Sequence, residues 1–426
     1  MSRAGHADLL VAGGGPAGAL LALAAARAGV RVILLDRAVF PRPKPCGGVL
    51  SPRAVSILEE AGALRRLLAA GAQPITRLRV HAPDGAQLTL PYGRGLALER
   101  ERLDLCLLEE AAAAGAEIRT GVQVEALEPE RGRRRCLRFR LLRSGRLAQE
   151  RGVWVAGAGG SRCRVRRALE ACCRRGRSAR WSAAILPTRR RRSTGVTPPG
   201  AGSPVAVCAV FDGIGAPGEV CEMHLLGDGY CGVAAAGPDR TAIGMVLSAA
   251  GWREFGFAPL RDPDSRLDRV FTLALAARPA LAAIAARLRL ARGPWASGAL
   301  RTLPPRGALP GTLLVGDALA RMEPITGEGM AEALAAARRA AHWIVRGGEP
   351  CSAGRLHRLQ LRRLGGARRR SALAATLSRL PRAAAFGVGR LGRLPGLAGA
   401  LGRHLAGEGG APAGAPAALH PGEGRA

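Results

Sequence analysis

Near the N-terminus, short apolar runs flank one alanine-rich stretch. Residues 8–12 are apolar after Asp8, and residues 16–28 follow a glycine turn with the apolar pattern of a helix that stops at Gly29. Residues 31–35 are apolar again after Arg31. A strand, a helix and a second strand in this order predict a βαβ unit, in which both strands lie parallel in one sheet.

The pattern changes to strict alternation over residues 76–90. Apolar side chains share one face on either side of a Pro83-Asp84-Gly85 turn, which predicts a β-hairpin. Further short strands at hairpin spacing are predicted over residues 205–211, 220–226, 229–235 and 242–247. These segments together predict a second, antiparallel sheet.

The remaining elements surround these two units. Helices are predicted over residues 102–114, 268–291 and 327–346, strand-rich stretches over 117–127 and 136–155 with turns at 130–132 and 144–145, and a buried strand over 313–315. Residues 172–204 have no periodicity and are predicted to form a loop. Residues 351–406 combine twelve arginines, no acid and leucines at helical spacing, and residues 407–426 are predicted to be a disordered tail.

Composition places the chain among packed globular proteins, because 48% of its 426 residues are hydrophobic and its mean hydropathy is +0.07. The formal net charge is +32, yet Lys44 is the only lysine among 64 basic residues. A chain rich in arginine, alanine, glycine and proline is typical of a GC-rich genome, and aromatic residues make up only 3%. Nucleic-acid binding is therefore not expected, since base-stacking platforms need aromatic side chains.

Ten scattered cysteines without a C-x-x-C pair favour a reduced, cytoplasmic protein. Residues 9–26 carry no charge, but the glycine-rich turn inside them disfavours a membrane helix. No other apolar run reaches about 18 residues, so a membrane-spanning segment is not predicted.

The first motif that carries chemistry lies in the turn of the βαβ unit. In Gly13-Gly-Gly15-Pro-Ala-Gly18 the first glycine permits a tight turn, the second lets the backbone approach a pyrophosphate, and the third permits close helix packing. Asp36 ends the next strand, 18 residues further on, where an acid accepts hydrogen bonds from a ribose. The spacing predicts a dinucleotide site at the helix N-terminus.

A second motif follows the predicted strand at residues 313–315. Gly316 and Asp317 stand at the tip of that strand, and a glycine-rich EPITGEG stretch then opens the long helix. An acid at a strand tip can reach the ribityl hydroxyls of a flavin. A helix that begins near Gly327 and Gly329 offers free N–H groups to the flavin O2/N1 edge.

Together with RPKPCGG around Cys46 and RERLD beginning at Arg100, these motifs resemble the FAD-dependent geranylgeranyl reductases and the wider p-hydroxybenzoate-hydroxylase-type flavoproteins. The resemblance covers residues 7–350. It implies FAD in the glycine-rich site, with Asp317 on the ribityl chain, Arg100 near the pyrophosphate and Arg37 in the same cofactor site. It also implies that Cys46 lies near flavin and substrate, where the thiol either protonates the substrate or packs against the isoalloxazine.

One position departs from that family's pattern. Relatives usually carry an Asp-Gly pair after the strand that ends here at Gly157, and this chain has Gly159 where the aspartate would stand. In relatives the aspartate is tied to pyrophosphate and nicotinamide handling, so the route of flavin reduction stays open. NAD(P)H is the expected donor. No second G-x-G-x-x-G motif stands between a predicted strand and a predicted helix, which agrees with relatives that have no separate NAD(P)H domain.

The expected fold class is α/β: a Rossmann-like three-layer FAD-binding domain, an antiparallel-sheet substrate domain and a helical C-terminal segment. The active site is expected between the two domains. The boundaries assign residues 1–70, 97–170 and 296–350 to the FAD-binding domain, 71–96 and 171–295 to the substrate domain, and 351–406 to the basic helical segment.

The expected function is hydride transfer from reduced flavin to a C=C bond of a lipophilic, isoprenoid-like substrate. Two alternatives stay open: a flavin monooxygenase acting on an aromatic or polyketide-like ring, and a catalytically impaired flavin-binding or membrane-surface protein. Glu222, His224 and Tyr230 are expected to pack and orient on the sheet that roofs the substrate pocket. Leucines three or four residues apart favour either a helix on an anionic inner-membrane surface or a helix packed on the FAD-binding domain: Leu391, Leu394, Leu397, Leu401 and Leu405.

Overall fold

A computed structural model describes residues 7–129, 134–174, 184–185, 204–215, 218–255, 267–297, 300, 304–305, 307–392 and 394–406. Within these residues the chain forms two eight-stranded sheets and a helical C-terminal segment, so the predicted α/β fold class is confirmed.

The strands are, in chain order, β1 (Ala7–Ala12), β2 (Val32–Leu35), β3 (Val49–Leu50), β4 (Gln73–His81), β5 (Gln87–Ala97), β6 (Glu117–Arg119), β7 (Val122–Pro129), β8 (Arg135–Leu141), β9 (Leu147–Gly157), β10 (Ala184–Ile185), β11 (Val205–Asp212), β12 (Val220–Leu225), β13 (Gly229–Gly237), β14 (Arg240–Leu247), β15 (Arg289–Ser297) and β16 (Thr312–Leu314). The α-helices are α1 (Pro16–Arg27), α2 (Pro52–Glu60), α3 (Leu64–Ala69), α4 (Arg100–Ala113), α5 (Arg164–Arg174), α6 (Ala249–Glu254), α7 (Leu267–Ala276), α8 (Pro279–Ala285), α9 (Gly329–Val345), α10 (Ala353–Leu377), α11 (Pro381–Gly392) and α12 (Pro395–Ala406).

The first sheet is built around the predicted βαβ unit. β1 pairs in parallel with β2 on one side and with β9 on the other, and β16 lies parallel beside β9. Nearly every residue of β1 and β2 is buried, as expected of parallel strands that helices cover on both faces. The carboxyl ends of β1, β9 and β16 therefore meet at one edge of the sheet, at Ala12, Gly157 and Leu314.

Alanine-rich helices cover one face of the first sheet. Buried residues of α1, α2, α4 and α9 form one hydrophobic core with β1 and β2. Pro16 begins α1, where a missing N–H costs nothing because the first helical N–H groups have no intrahelical partner. Small side chains let α1 and α9 approach closely, which brings the two glycine-rich motifs toward the same sheet edge.

The second sheet contains the predicted hairpin and the predicted short strands. β4 and β5 are antiparallel, as are β12–β13, β13–β14 and β11–β14. β4 pairs in parallel with β12, which joins the hairpin to the other strands. The outer face of this sheet carries Val205, Cys231 and Ile243, and α6, α7 and α8 cover it. The inner face carries Tyr230 and Val246 and packs against the segment before α9.

The prediction of one helix over residues 268–291 is wrong. α7 ends at Ala276 and α8 begins at Pro279, because proline lacks the N–H that would continue the helix and disfavours helical backbone in the residue before it. From Arg289 the chain joins the second sheet as β15, which pairs with β11.

The predicted loop over residues 172–204 is corrected at two places. Residues 172–174 complete α5, and Ala184–Ile185 pair with β7 as β10. The other residues of that loop up to residue 203, the predicted turn at 130–132 and the predicted tail at 407–426 lie outside the described residues.

The basic C-terminal segment is helical, as predicted. α10 packs against α9 and β16 of the first sheet, whereas α11 and α12 pack against β5 of the second. Within the part of the chain that the structure describes, no helix is both long enough and apolar enough to cross a bilayer. The domain boundaries given above stay a prediction.

Candidate functional site

The turn between β1 and α1 leaves no room for side chains at two of its glycines. A Cβ on Gly13 would lie 2.5 Å from the Ala158 backbone, and one on Gly18 would lie 1.9 Å from the Gly13 carbonyl oxygen. Gly15 differs, because the nearest atom to a Cβ there is an Arg42 guanidinium nitrogen at 3.8 Å. Neighbouring atoms therefore fill the space beside Gly13 and Gly18, whereas the space beside Gly15 is open. At Gly15 the helix α1 presents its free N–H groups.

Asp36 lies at the end of β2 beside this turn and is buried. Its carboxylate accepts hydrogen bonds from the backbone N–H groups of Gly14 at 2.6 Å and Ala38 at 2.7 Å. Asp36 thus braces the glycine turn itself, which spacing alone did not indicate, and its oxygens keep lone pairs for a further donor. Arg37, the next residue, is exposed.

A buried ion cluster stands beside the turn. Asp104 on α4 is fully buried; it accepts two hydrogen bonds from Arg100, each 2.9 Å, and lies 3.2 Å from Arg42. The Arg42 guanidinium also stacks on Phe40, and its buried Nη1 has no hydrogen-bond partner among the described residues. Arg100 is therefore paired with the Asp104 carboxylate. Arg42 keeps one N–H group that could donate a hydrogen bond to a phosphate oxygen. Sequence reasoning quoted Arg42 in a motif but did not select it.

Gly316 and Asp317 form a short 3-10 helix directly after β16. Gly316 has φ +60°, and a Cβ on it would lie 3.0 Å from the Ala17 Cβ, so this strand tip touches the start of α1. Asp317 is partly exposed, with the Arg321 Nε 3.5 Å from its carboxylate. The two motifs, more than 280 residues apart in the chain, meet at the carboxyl edge of the first sheet.

The start of α9 has open space beside it. Gly327 has φ +68°, in the left-handed region, and a Cβ on it would lie 3.6 Å from the Tyr92 hydroxyl. Among the described residues, no atom lies within 4 Å of a Cβ placed on Gly329. Burial raises the pKa of Tyr92, so the phenol stays protonated beside Gly327. From the inner face of the second sheet, the Tyr230 hydroxyl donates to Glu323 at 2.8 Å.

A small cleft opens between the loop at residues 43–48 with the start of α4 and the second sheet. One wall is polar and includes Lys44, Cys46 and Arg100, and the Arg100 guanidinium contacts the Cys46 sulfur. The opposite wall is apolar and belongs to the second sheet: Cys208, Ala209, Val210, Ala242 and Trp295. Burial raises the pKa of Cys208 to about 12, so that thiol stays protonated.

Lys44 has an unusual electrostatic environment. Desolvation, followed by the positive charges of Arg100 and Arg42, lowers its pKa to about 8, although Asp317 opposes the shift. The residue is nevertheless exposed at the cleft mouth, so water screens these charges and the shift matters for proton transfer more than for stability. Sequence reasoning did not select Lys44.

The side chains of β12 divide between the two faces of the second sheet. Glu222 and His224 pair with Val233 and Cys231, which belong to the outer-face core, and directly paired residues share a face. Glu222 and His224 therefore lie on the second sheet, as predicted, but point away from the cleft, and their packing and orienting role stays a prediction. Tyr230 lies on the inner face of the same sheet.

The residues at the carboxyl edge of the first sheet fit an FAD molecule. The glycine turn is a cradle that a Cβ would fill, and the buried Arg42 N–H next to it lacks a partner. Space is also open beside Gly329, where the first N–H groups of α9 could meet a negatively charged ring edge.

Comparison with known proteins agrees with this geometry. Residues 6–195 match the family described as FAD binding domain. The chain is 42% identical over 116 residues to geranylgeranyl diphosphate reductase of Rhodobacter capsulatus, a match that spans 27% of this chain and 28% of that relative. It is 33% identical over 172 residues to 6-methylpretetramide 4-monooxygenase of Streptomyces rimosus, spanning 38% of this chain and 30% of the relative.

A solved structure resembles nearly the whole chain. A geranylgeranyl bacteriochlorophyll reductase-like protein from Thermoplasma acidophilum superimposes with a TM-score of 0.63, covering 92% of this chain and 91% of the other at 19% identity. The chain is thus an FAD-dependent oxidoreductase, and an enzyme. Its matches include proteins named as geranylgeranyl reductases, which its motifs resemble.

Proposed function

We propose that this chain transfers hydride to a C=C bond of a lipophilic, isoprenoid-like substrate, with NAD(P)H as electron donor. FAD, when bound, supplies the hydride chemistry. The proposal is carried by the cleft, where an apolar wall faces two groups that can release a proton, Lys44 and Cys46. Saturating an alkene adds hydride to one carbon and a proton to its neighbour, so a donor must lie close. The names of the similar reductases support the substrate class.

We assign the cofactor to the carboxyl edge of the first sheet. Arg42 would be the charged partner of a pyrophosphate bound at the N-terminus of α1, and Arg100 would act by holding Asp104 and thereby Arg42. The other proposed contacts are Gly13, Gly15 and Gly18 to the pyrophosphate, Asp36 and Arg37 at the ribose, Gly316 and Asp317 at the ribityl chain, and Gly327 and Gly329 at the flavin.

Cys46 is the proposed proton donor. Its sulfur contacts the Arg100 guanidinium and lies 3.5 Å from the Gly48 backbone nitrogen. Both groups donate toward the sulfur and fix its position at the cleft. Two glycines follow Cys46, so no neighbouring side chain on that side separates the thiol from the cleft.

The test of this function separates the two half-reactions by stopped flow. Cys46→Ala should leave FAD content and flavin reduction by NAD(P)H near wild type, and should slow anaerobic flavin reoxidation by a prenyl-lipid alkene by roughly 10² to 10⁴. Cys351→Ala, an exposed cysteine outside the cleft, is the matched control and should behave as wild type. An unchanged oxidative half-reaction in Cys46→Ala would remove Cys46 from the mechanism.

A second candidate function is hydroxylation of an aromatic or polyketide-like ring. The similarity to 6-methylpretetramide 4-monooxygenase supports it. Hydroxylation consumes O₂ and needs no proton donor to carbon, so Cys46→Ala would hydroxylate at a near wild-type rate. Product analysis with phenols and prenyl lipids, each with and without oxygen, distinguishes the two functions.

We also propose that α10–α12 rest on an anionic membrane surface, which would deliver a lipid substrate. The segment is basic and free of acids, and several of its large apolar side chains are exposed: Leu373, Leu377, Leu380, Phe386, Leu394 and Leu397. Leu391 and Leu401 instead pack with β5, so the predicted leucine stripe is divided between protein and solvent.

A further inference from the structure

The loop that leads into α9, residues 323–328, is held from two sides. From the second sheet, the Tyr230 hydroxyl donates to the Glu323 carboxylate at 2.8 Å. From α10, the buried Ser371 hydroxyl donates to the Glu323 backbone carbonyl, and Arg370 forms an ion pair with the Glu328 carboxylate. Two adjacent residues of the C-terminal segment therefore fasten both ends of this loop.

Glu328 carries a desolvated negative charge at the start of α9. It stands between Gly327 and Gly329, and its side chain makes no capping hydrogen bond to the helix. The Glu328 side chain is 7% exposed, and its buried Oε2 has no hydrogen-bond partner among the described residues. A buried carboxylate needs a counter-charge, and Arg370 supplies it from a side chain that is 42% exposed.

The neighbouring Tyr92 phenol senses the charge of Glu328. A Cβ on Gly327 would lie 3.6 Å from the Tyr92 hydroxyl. Burial raises the pKa of Tyr92 most, and Cys221 and then the Glu328 carboxylate raise it further. The field of this carboxylate thus extends to the side of the loop on which Gly327 lies.

We propose that the Glu328–Arg370 ion pair tunes the reduction potential of the bound flavin, with Arg370 acting through Glu328 as a positioning residue. The inference rests on the cofactor placement proposed above, in which Gly327 and Gly329 contact the flavin. Reduction places negative charge on the flavin O2/N1 edge, which the N-terminus of α9 stabilises and an uncompensated carboxylate would repel. By compensating Glu328, Arg370 makes FAD easier to reduce.

The experiment measures the two-electron midpoint potential of FAD in the full-length holoenzyme, by slow anaerobic reduction beside a reference dye. Arg370→Gln should lower the potential, because Glu328 then lacks its counter-charge, by about tenfold in the reduction equilibrium or about 30 mV. Glu328→Gln should raise it by a similar amount, because the Arg370 charge is then uncompensated. The double variant should return close to wild type, and Arg370→Lys should keep most of the wild-type potential because it keeps the charge.

Arg369→Gln is the matched control, since it removes the same charge from the adjacent exposed position of α10, and its potential should equal that of the wild type. Because Arg370 is exposed, Arg370→Gln is expected to fold and to bind FAD. Should Glu328→Gln not retain FAD, the comparison of Arg370→Gln with Arg370→Lys and Arg369→Gln decides by itself.

Three results would overturn the inference: an unchanged potential in Arg370→Gln, shifts of the same sign in Arg370→Gln and Glu328→Gln, or an equal shift in Arg369→Gln. A merely structural role of the pair predicts the second of these, since either substitution would loosen the loop alike. The measurement needs neither NAD(P)H nor an alkene. An unchanged oxidative half-reaction in Cys46→Ala would therefore refute the proposed proton donor and leave this inference standing.

Discussion

Removal of the Asp104 carboxylate tests whether the ion cluster beside the glycine turn holds the site together. Asp104 is fully buried, and two cations, Arg100 and Arg42, are directed at it. Asp104→Ala would leave both guanidinium groups largely desolvated without a counter-charge. Breaking a buried ion pair in this way costs about 3–5 kcal/mol.

The same helix offers a matched control. Glu109 on α4 also pairs with an arginine, its carboxylate lying 3.0 Å from the Arg66 Nη1, but both side chains are more than a third exposed. Solvent screening limits such a pair to about 0–1 kcal/mol. Denaturant unfolding of the FAD-free protein should therefore show a difference of at least about 2 kcal/mol between Asp104→Ala and Glu109→Ala.

The cluster also predicts a binding phenotype. Arg42 reaches toward Gly15 from Asp104, so Asp104→Ala should weaken FAD retention, whereas Glu109→Ala should not. Replacing the bidentate pair by Asp104→Leu with Arg100→Met should recover part of the lost stability, because only Arg42, and no longer both guanidinium groups, then lacks its counter-charge. Equal unfolding free energies for Asp104→Ala and Glu109→Ala would show that the cluster does not stabilise the fold.

Four further predictions test the site and the membrane surface. Gly18→Ala should abolish FAD binding because its Cβ would lie 1.9 Å from a backbone oxygen, whereas Gly365→Ala, with open space around it, should keep FAD content at wild type; equal FAD content would contradict this. Asp317→Ala should lose most of its flavin on gel filtration, and full retention would exclude a ribityl contact. After ¹³C-reductive methylation, the single lysine signal of Lys44 should titrate near pH 8, its charge being present below that pH and lost above it; a midpoint near 10.5 would contradict the lowered pKa. Replacing exposed Phe386 and Leu397 by serine should reduce sedimentation with anionic vesicles, and unchanged sedimentation would reject the membrane contact.

The βαβ unit and its glycine turn could be predicted because their signals are local. Period, glycine spacing and a following acid all fall within residues 8–36, and the structure places them as expected. The prediction of one helix over residues 268–291 was wrong because it relied on apolar spacing alone. Apolar spacing alone does not show that Pro279 divides the segment, or that β11 provides a partner for the residues after Arg289.

The faces of β12 could not be assigned from sequence. Alternation shows that Glu222 and His224 share a side, but which side meets the cleft depends on the strands that pair with β12 and the helices that cover them. Arg42 was missed for a similar reason. Its contacts with Asp104 and the neighbourhood of Gly15 join three segments that only the folded chain brings together.

The lysine content of the sequence already singled out Lys44. Lys44 is the only lysine in a chain whose other 63 basic side chains are arginine. Arginine serves as a fixed positive charge but does not release a proton near neutral pH, whereas a lysine with a lowered pKa can. The only amine side chain lines the cleft beside Cys46, and nearby Arg100 and Arg42 lower its pKa further after desolvation. Since an arginine would supply charge at that position equally well, the amine is consistent with the proposal that Lys44 can release a proton in the cleft beside Cys46.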